Sequence, residues 1–390
     1  SGLEVDDSLQ ALQTLAKAWR AQFDLPLIAV TGSNGKTTVT QMLASILHAW
    51  QGDDALATQG NFNNHIGVPL TLLRLRAHHR VAVLELGMNH PGEIARLAAC
   101  ADPTVALVNN AQREHQEFMH SVQAVAEENG AVIQALSDHG VAVLPVTDEH
   151  HRLWRDFASS RRVVDFGNST AAVHVKHALW LNTHWQLNLQ TPQGLLTTQL
   201  HLPGQHNLHN AMAAVAAALA VGVPISAIEQ GLTQFQPVNG RSKVSVLQHV
   251  GRSITLIDDS YNANPDSVRA ATDMLAQSAA PRLLVLGDMG EVGTQGAAFH
   301  AEAGEYAQQQ HIEHVLTLGE LSLHTASVCA NAVHCHSMDE LLQRLNTLLP
   351  NLSSVLVKGS RFMRMERVVQ ALQNPEQQAA SLPRKEASCC

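Results

Sequence analysis

Residues 30–38, Val-Thr-Gly-Ser-Asn-Gly-Lys-Thr-Thr, constrain the fold of this 390-residue chain more than any other stretch. The apolar residues 27–30 lead into it and predict a buried parallel strand, and apolar residues at helical spacing follow over 39–47. Glycines in a strand-to-helix turn let backbone N–H groups converge on an anion at the positive end of the helix. The sequence therefore predicts a phosphate-binding loop, and an ordinary glycine-rich turn is the alternative.

Two side chains of this loop suit a nucleoside triphosphate with Mg²⁺. Lys36 can reach the outer phosphates, and the hydroxyl of Thr37 can ligate the metal. The spacing is the short Gly-x-x-Gly-Lys-Thr, because Val30 stands where the longer motif has glycine. The predicted nucleotide-binding residues of the loop are Thr31, Gly32, Ser33, Asn34, Gly35, Lys36, Thr37 and Thr38.

Further apolar runs alternate with helical patterns and predict an α/β fold. Such alternation forms a doubly wound, mostly parallel sheet whose ligands lie at the carboxyl ends of the strands. Glu85 interrupts the apolar run 81–86, and a buried carboxylate is costly unless it is paired or bound to a metal. His115 follows the apolar run 104–108, so we expect it at the same edge. A salt-bridged glutamate at a strand end is the alternative for Glu85.

Changes of pattern divide the chain into domains. Alternation over 173–189 predicts an antiparallel patch beside the central sheet, and Pro237 and Gly240 mark a junction before a second, Rossmann-like α/β unit. We predict a linker with an N-terminal helix capped by Ser8 over 1–24, a central nucleotide-binding domain over 25–238, a C-terminal α/β domain over 239–372 and a disordered tail over 373–390.

Composition excludes several classes of partner. The net charge of −9 gives no general attraction to nucleic acid or to an anionic membrane. No apolar run reaches the ~18 residues that a membrane-spanning helix needs. The five cysteines are odd in number and form no C-x-x-C pair, which favours a cytoplasmic protein over a disulfide framework. We expect a monomer without nucleic-acid or membrane partners.

Taken together, the motifs resemble the Mur ligase family over about residues 5–372. In chain order they are residues 31–38, 60–64, 66–69 and 85–87, and Gly204 with His206, Asn207 and Asn210. Within the family, three later motifs resemble the branch that adds D-alanyl-D-alanine: residues 258–265, 287–289 and 358–361.

The resemblance implies an amide ligase of peptidoglycan precursor synthesis, with residues 25–238 as its central ATP-binding domain and residues 239–372 as its C-terminal ligase domain. ATP would phosphorylate the terminal carboxylate of UDP-N-acetylmuramoyl-tripeptide, and the amine of D-Ala-D-Ala would then attack the acyl phosphate, releasing ADP and phosphate. An anionic carboxylate that attacks a phosphate requires concentrated positive charge. A different amide ligase of the family, such as a folylpolyglutamate synthetase, and a non-catalytic nucleotide-binding protein are the alternatives.

The resemblance also implies roles for individual residues. Lys36, Glu85, His115 and Arg241 would be catalytic, with Thr37 and Glu85 on one Mg²⁺ and His115 on a second. Nucleotide or acceptor contacts would come from Asn207 and Asn210 near the adenine, Arg241 and Asp259 at phosphate and ribose, and Tyr261, Asn264 and the turn 358–361. From the residues alone, Asn207 and Asn210 could equally be helix caps.

Two departures from the family pattern stand out. Asn129 occupies the position at which relatives carry a carbamylated lysine, and we hypothesise that Glu128 or Glu127 supplies the missing anion at the metal. A solvated acidic helix face is the alternative. The family's N-terminal UDP-binding domain has no counterpart in this sequence, so we expect the chain to bind ATP but to bind its UDP substrate poorly.

Overall fold

The computed structural model describes residues 4–374, which divide into two compact units, one ending at Val238 and the other starting at Asn239. Most of the predicted disordered tail, from residue 375 onward, lies outside the described residues. No helix in the described part of the chain is long and apolar enough to cross a bilayer.

Within residues 4–238, one nine-stranded sheet has the order β2-β3-β1-β4-β5-β6-β7-β8-β9. Neighbours from β2 to β7 are parallel, and β7, β8 and β9 are antiparallel. The predicted parallel sheet with an antiparallel patch is therefore confirmed. The strands are β1 (Leu27–Thr31), β2 (Ala55–Ala57), β3 (Val81–Glu85), β4 (Val105–Val108), β5 (Val141–Pro145), β6 (Arg162–Gly167), β7 (Val173–Trp180), β8 (Trp185–Thr191) and β9 (Gly194–Leu200).

Helices cover both faces of this sheet, which explains why β1 is apolar without alternation. Ile28 and Val30 pack into one apolar cluster, and Leu27 and Ala29 pack into the other. The helices of the unit are α1 (Ser8–Arg20), α2 (Lys36–Gln51), α3 (Gly67–Leu72), α4 (Glu93–Ala101), α5 (Gln116–Met119), α6 (Val122–Gln134), α7 (His151–Ala158), α8 (Gln205–Ala220) and α9 (Ile225–Gln234).

Two details of the helices differ from the predictions. Asp7 caps α1 in place of Ser8, because it has the extended backbone of a capping residue and its carboxylate accepts hydrogen bonds from the amides of Leu9 and Gln10. Helix α8 begins at Gln205, so Asn207 and Asn210 lie inside the helix and not at its start, where a cap would be.

The second unit, described from Asn239 to residue 374, contains a six-stranded sheet in the order β10-β11-β15-β12-β13-β14. Its strands are parallel except for β10, which pairs antiparallel with β11 and was not predicted. The elements are β10 (Lys243–His249), β11 (Arg252–Asp259), α10 (Pro265–Ala276), β12 (Arg282–Gly287), α11 (Gly296–Gln309), β13 (His314–Leu318), α12 (Leu323–Val328), β14 (Ala332–Cys335), α13 (Met338–Leu348), β15 (Ser354–Lys358) and α14 (Glu366–Gln373).

Candidate active site

The loop between β1 and α2 is tightly enclosed. Gly32 and Gly35 have φ angles of +131° and +82°, which residues other than glycine rarely adopt. A Cβ on Gly35 would overlap the side-chain oxygen of Asn210 and come within 2.6 Å of Nδ2 of Asn109. Both the backbone and the surroundings therefore require glycine at position 35.

Replacing Gly35 by Ala is expected to lower the free energy of unfolding by about 2–4 kcal/mol, because the left-handed backbone and the steric overlap each cost about 1–2 kcal/mol. Nucleotide affinity should fall with it, since the loop must shift. Gly222→Ala is the matched control, because Gly222 has a φ of +83° but open space around its Cβ position. Urea unfolding of both variants checks this, and equal losses would contradict the role of the enclosed packing.

Segment 109–112, which follows β4, holds the outer side of the loop. The amide of Asn34 donates to Oδ1 of Asn110 at 2.8 Å, and the amide of Gln112 donates to Oγ of Ser33 at 2.8 Å. Of the other predicted loop residues, Thr31 ends β1, while Thr37 and the buried Thr38 lie in the first turn of α2. These contacts within the protein fix the shape of the loop.

Asparagines buttress the loop from the side of α8. Asn109 donates through Nδ2 to the carbonyl of Asn34 at 2.7 Å and to Oδ1 of Asn210 at 2.9 Å. Asn210 in turn donates to Oδ1 of Asn207 at 2.9 Å. Because Gly204 occupies the capping position of α8, Asn207 and Asn210 are not its cap. Their proposed contact with adenine stays a prediction.

Lys36 folds back onto its own loop. Its ammonium donates to the carbonyls of Gly32 at 2.5 Å and Ser33 at 3.1 Å, and to Oε2 of Glu114 at 3.2 Å. His115 lies beside this group, with Nε2 3.7 Å from the same carboxylate oxygen. The predicted residues Lys36 and His115 are therefore brought together through Glu114.

Glu85 ends β3, which pairs with β1 so that Glu85 stands opposite Val30. Its carboxylate is 2% exposed, and Oε1 accepts from the hydroxyl of Thr37 at 3.2 Å and from Nδ2 of Asn63 at 2.7 Å. Among the described residues, Oε2 of Glu85 has no hydrogen-bond partner. A hydroxyl and a carboxylate with a buried unused oxygen are a donor set that fits Mg²⁺.

The rest of a metal coordination sphere would have to come from elsewhere. Across residues 4–374, no group of three or more His, Cys, Asp or Glu side chains could hold a metal ion together. Mg²⁺ in nucleotide sites commonly takes one or two carboxylates and completes its octahedron with phosphate oxygens and water. The pair Thr37 and Glu85 is consistent with that kind of site.

The assignment of Glu128 to the metal is not supported. Its two carboxylate oxygens accept from the amides of Gly92 and Ile94, both at 2.7 Å, at the start of α4. Glu127 is exposed and accepts from Gln123 on its own helix. Successive residues of a helix point about 100° apart, so only one of the three positions 127–129 can face the loop.

Asn129 is the residue of α6 that faces the loop. It is fully buried, and its Oδ1 accepts from the hydroxyl of Thr31 at 2.7 Å and the amide of Gly32 at 3.1 Å. The Gly32 amide can only donate, so the atom facing it must be the amide oxygen of Asn129. A neutral side chain that positions the loop thus stands where the resemblance implies a metal-side anion.

Residues of the polar loop 58–66 line two cavities of the first unit. One cavity, of about 440 Å³, is lined by Thr37, Thr58 and Gly60 among others. The second, of about 370 Å³, is lined by Asn64, Gly87 and residues of α1 and α4. The motif 60–64, one of those that resemble the family, lies in this loop beside both cavities.

In the second unit, predicted site residues meet at the carboxyl ends of β11 and β15. The carboxylate of Asp259 accepts from Nζ of Lys358 at 2.5 Å and from the amide of Ser242 at 2.9 Å. The guanidinium of Arg241 lies 4.1 Å from the ring centre of Tyr261. Asn264 caps α10 in a reciprocal arrangement with Ser267, which gives it a structural role whether or not it also binds a ligand.

Asn109 and Glu114 were not among the predicted site residues, and Asn129 was noted only as a departure from the family pattern. Asn109 and Glu114 follow β4, and β4 is the neighbour of β1 in the sheet. The carboxyl ends of neighbouring parallel strands share one edge, so the polar residues after that strand could have been included on topology alone.

Two family models match the chain in tandem. The Mur ligase middle domain matches residues 30–218, and the Mur ligase glutamate ligase domain matches residues 244–361. The chain belongs to the Mur ligase family. The first match of this Mur ligase starts at the strand that leads into the glycine loop.

Relatives and solved structures agree with that placement. The chain is 38% identical over 375 residues to the UDP-N-acetylmuramoyl-tripeptide–D-alanyl-D-alanine ligase of Escherichia coli K12, covering 95% of this chain and 82% of the relative. A crystal structure of MurF from Acinetobacter baumannii superposes with a TM-score of 0.90 at 34% identity, covering 95% of this chain and 82% of that one. The MurF ligase of Thermotoga maritima in complex with ADP, with a TM-score of 0.84 over 97% of this chain and 86% of that one, is 24% identical and shares the fold.

Proposed function

We propose that this Mur ligase joins D-alanyl-D-alanine to UDP-N-acetylmuramoyl-tripeptide at the expense of ATP, in the cytoplasmic synthesis of peptidoglycan precursors. Two contacts of the glycine loop support this chemistry. The ammonium of Lys36 lies against the loop at the carbonyl of Gly32, and the hydroxyl of Thr37 donates a hydrogen bond to Glu85. The observation that carries the substrates is the 38% identity to a ligase of that description over 95% of the chain.

The first unit would act mainly by positioning charge. The loop amides and Lys36 would hold the β- and γ-phosphates of ATP, as helix N-termini and loop lysines do in related phosphate sites. Thr37 and Glu85 would hold Mg²⁺, which supplies neutralisation of the phosphate charge when bound. His115, beside Glu114, is the proposed side chain for a second metal ion, and Asn207 and Asn210 are proposed to lie near the adenine.

The reaction proceeds in two steps. An oxygen of the tripeptide's terminal carboxylate attacks the γ-phosphorus, and the bond to the β–γ bridging oxygen breaks to release ADP. The amine of D-Ala-D-Ala then attacks the acyl carbon, loses a proton and expels inorganic phosphate, leaving an amide. Arg241, Asp259, Tyr261 and Asn264 of the second unit are the proposed further contacts of the nucleotide and the acceptor.

Phosphate release from ATP and Mg²⁺, measured with a saturating concentration of UDP-N-acetylmuramoyl-tripeptide, tests the proposal. We expect release only when D-Ala-D-Ala is added, with the pentapeptide product visible by mass spectrometry. Dependence on glutamate in place of the dipeptide would favour a ligase of the folylpolyglutamate synthetase kind. Nucleotide binding without phosphate release in the presence of any tested acceptor would favour a non-catalytic protein.

A further inference from the structure

Glu114 is a buried carboxylate that has no role in the proposed reaction. Its side chain is 6% exposed, and Oε2 contacts Nζ of Lys36 at 3.2 Å. In the described part of the chain, Oε1 is buried without a hydrogen-bond partner. A buried carboxylate with only one oxygen engaged loses hydration that its contacts do not fully replace. Glu114 is thus an anion available to a further cationic partner.

The position of Glu114 places it in competition with the nucleotide for Lys36. A phosphate oxygen hydrogen-bonded to Nζ would lie about 3 Å from it. Adding the 3.2 Å from Nζ to Glu114 puts the two anions within about 6 Å of each other. Like charges at that distance repel each other more strongly when one of them, as here Glu114, is buried away from water. A bare triphosphate would therefore meet a fixed negative charge at the point where it needs Lys36.

We propose that Glu114 makes nucleotide binding by this chain depend on a divalent cation. The carboxylate disfavours metal-free nucleotide, whereas a nucleotide that arrives with Mg²⁺ brings positive charge for Glu114 to face. The device selects the metal-loaded form of the substrate, which is the form that phosphoryl transfer uses. This inference rests on the proposed function, because it assumes that the loop binds nucleotide phosphates.

Calorimetric titration of a non-hydrolysable ATP analogue, once with Mg²⁺ and once with EDTA, tests the inference. In Glu114→Gln we expect metal-free binding to tighten by about tenfold, as removal of one nearby charge in a partly buried site implies. Mg²⁺-loaded binding should tighten far less, or weaken. The ratio of the metal-free to the metal-loaded Kd should therefore shrink by about tenfold relative to the unaltered chain.

Glu117→Gln is the matched control, because it removes the same charge from an exposed residue three positions further on. It should keep the ratio of the unaltered chain, and Glu114→Asp, which retains the charge, should stay close to it. Thermal unfolding shows whether Glu114→Gln folds, and Glu114→Ala gives the same readout if it does not.

Two outcomes would overturn the inference in distinguishable ways. Nucleotide binding with an unchanged ratio in Glu114→Gln would mean that Glu114 only orients Lys36, and the proposed function would stand. No nucleotide binding by the unaltered chain, with or without Mg²⁺, would remove the proposed function and this inference together.

Discussion

Lys36→Met is expected to reduce ligase turnover by about 10²–10³-fold, the effect typical of removing one preorganised charge from a transition state. Methionine keeps the length and apolar stem of the side chain but cannot donate to phosphate. Lys17→Met is the matched control, because Lys17 is exposed on α1 and has no proposed role. Phosphate release with all three substrates measures the loss, and retention of turnover would contradict the role of Lys36.

The same substitution should also lower the free energy of unfolding by about 3 kcal/mol, because it leaves the charge of Glu114 buried without its cation. Adding Glu114→Gln should restore most of this stability, since the remaining carboxamide carries no charge. Turnover should stay low in the double variant, because the phosphates still lack Lys36. Urea unfolding and phosphate release separate the two effects. Recovery of turnover in the double variant would mean that Lys36 serves only to neutralise Glu114.

The sheet architecture could be predicted because its signals are local. Residues 27–30 and 81–84 are continuous apolar runs, and such runs form strands that are covered on both faces. The glycines and Lys36 mark the turn between strand and helix within a few residues of each other. The unpredicted β10 lacks such a signal, because only alternate residues of Lys243–His249 are partly buried and none is fully buried.

The surroundings of the loop could not be predicted because they depend on long-range pairing and on helix phase. Asn129 reaches Gly32 across 97 positions of sequence, and Glu114 reaches Lys36 across 78. At positions 127–129 the sequence shows two carboxylates and an amide, but not which of them faces the loop. A rotation of α6 by one residue, about 100°, would have brought Glu128 to face the loop in place of Asn129.

Glu85→Gln is the second substitution for which we expect a large effect, and its effects on activity and stability should diverge. Turnover should fall by about 10²–10³-fold, because the carboxamide is a far weaker Mg²⁺ ligand than the carboxylate that it replaces. The free energy of unfolding should fall by less than about 1 kcal/mol, or should rise. The substitution removes a buried charge that is only partly hydrogen-bonded, at the cost of one buried amide donor without an acceptor.

Glu313→Gln provides the opposite case for comparison. Two hydrogen bonds from the Arg282 guanidinium, at 3.0 Å each, together with its charge hold the pKa of Glu313 at about 2. Because folding lowers the pKa of this carboxyl group from its ordinary value of 4.5, the ionised form stabilises the fold. This contribution is present above pH 4.5 and is lost as the pH falls toward 2. Glu313→Gln should therefore lower the free energy of unfolding at pH 7, whereas Glu85→Gln should not. If Glu85→Gln lowered the free energy of unfolding by more than about 2 kcal/mol, contacts within the fold would be stabilising the Glu85 carboxylate, as they do for Glu313. That result would contradict the interpretation of Glu85 as a ligand for a metal ion.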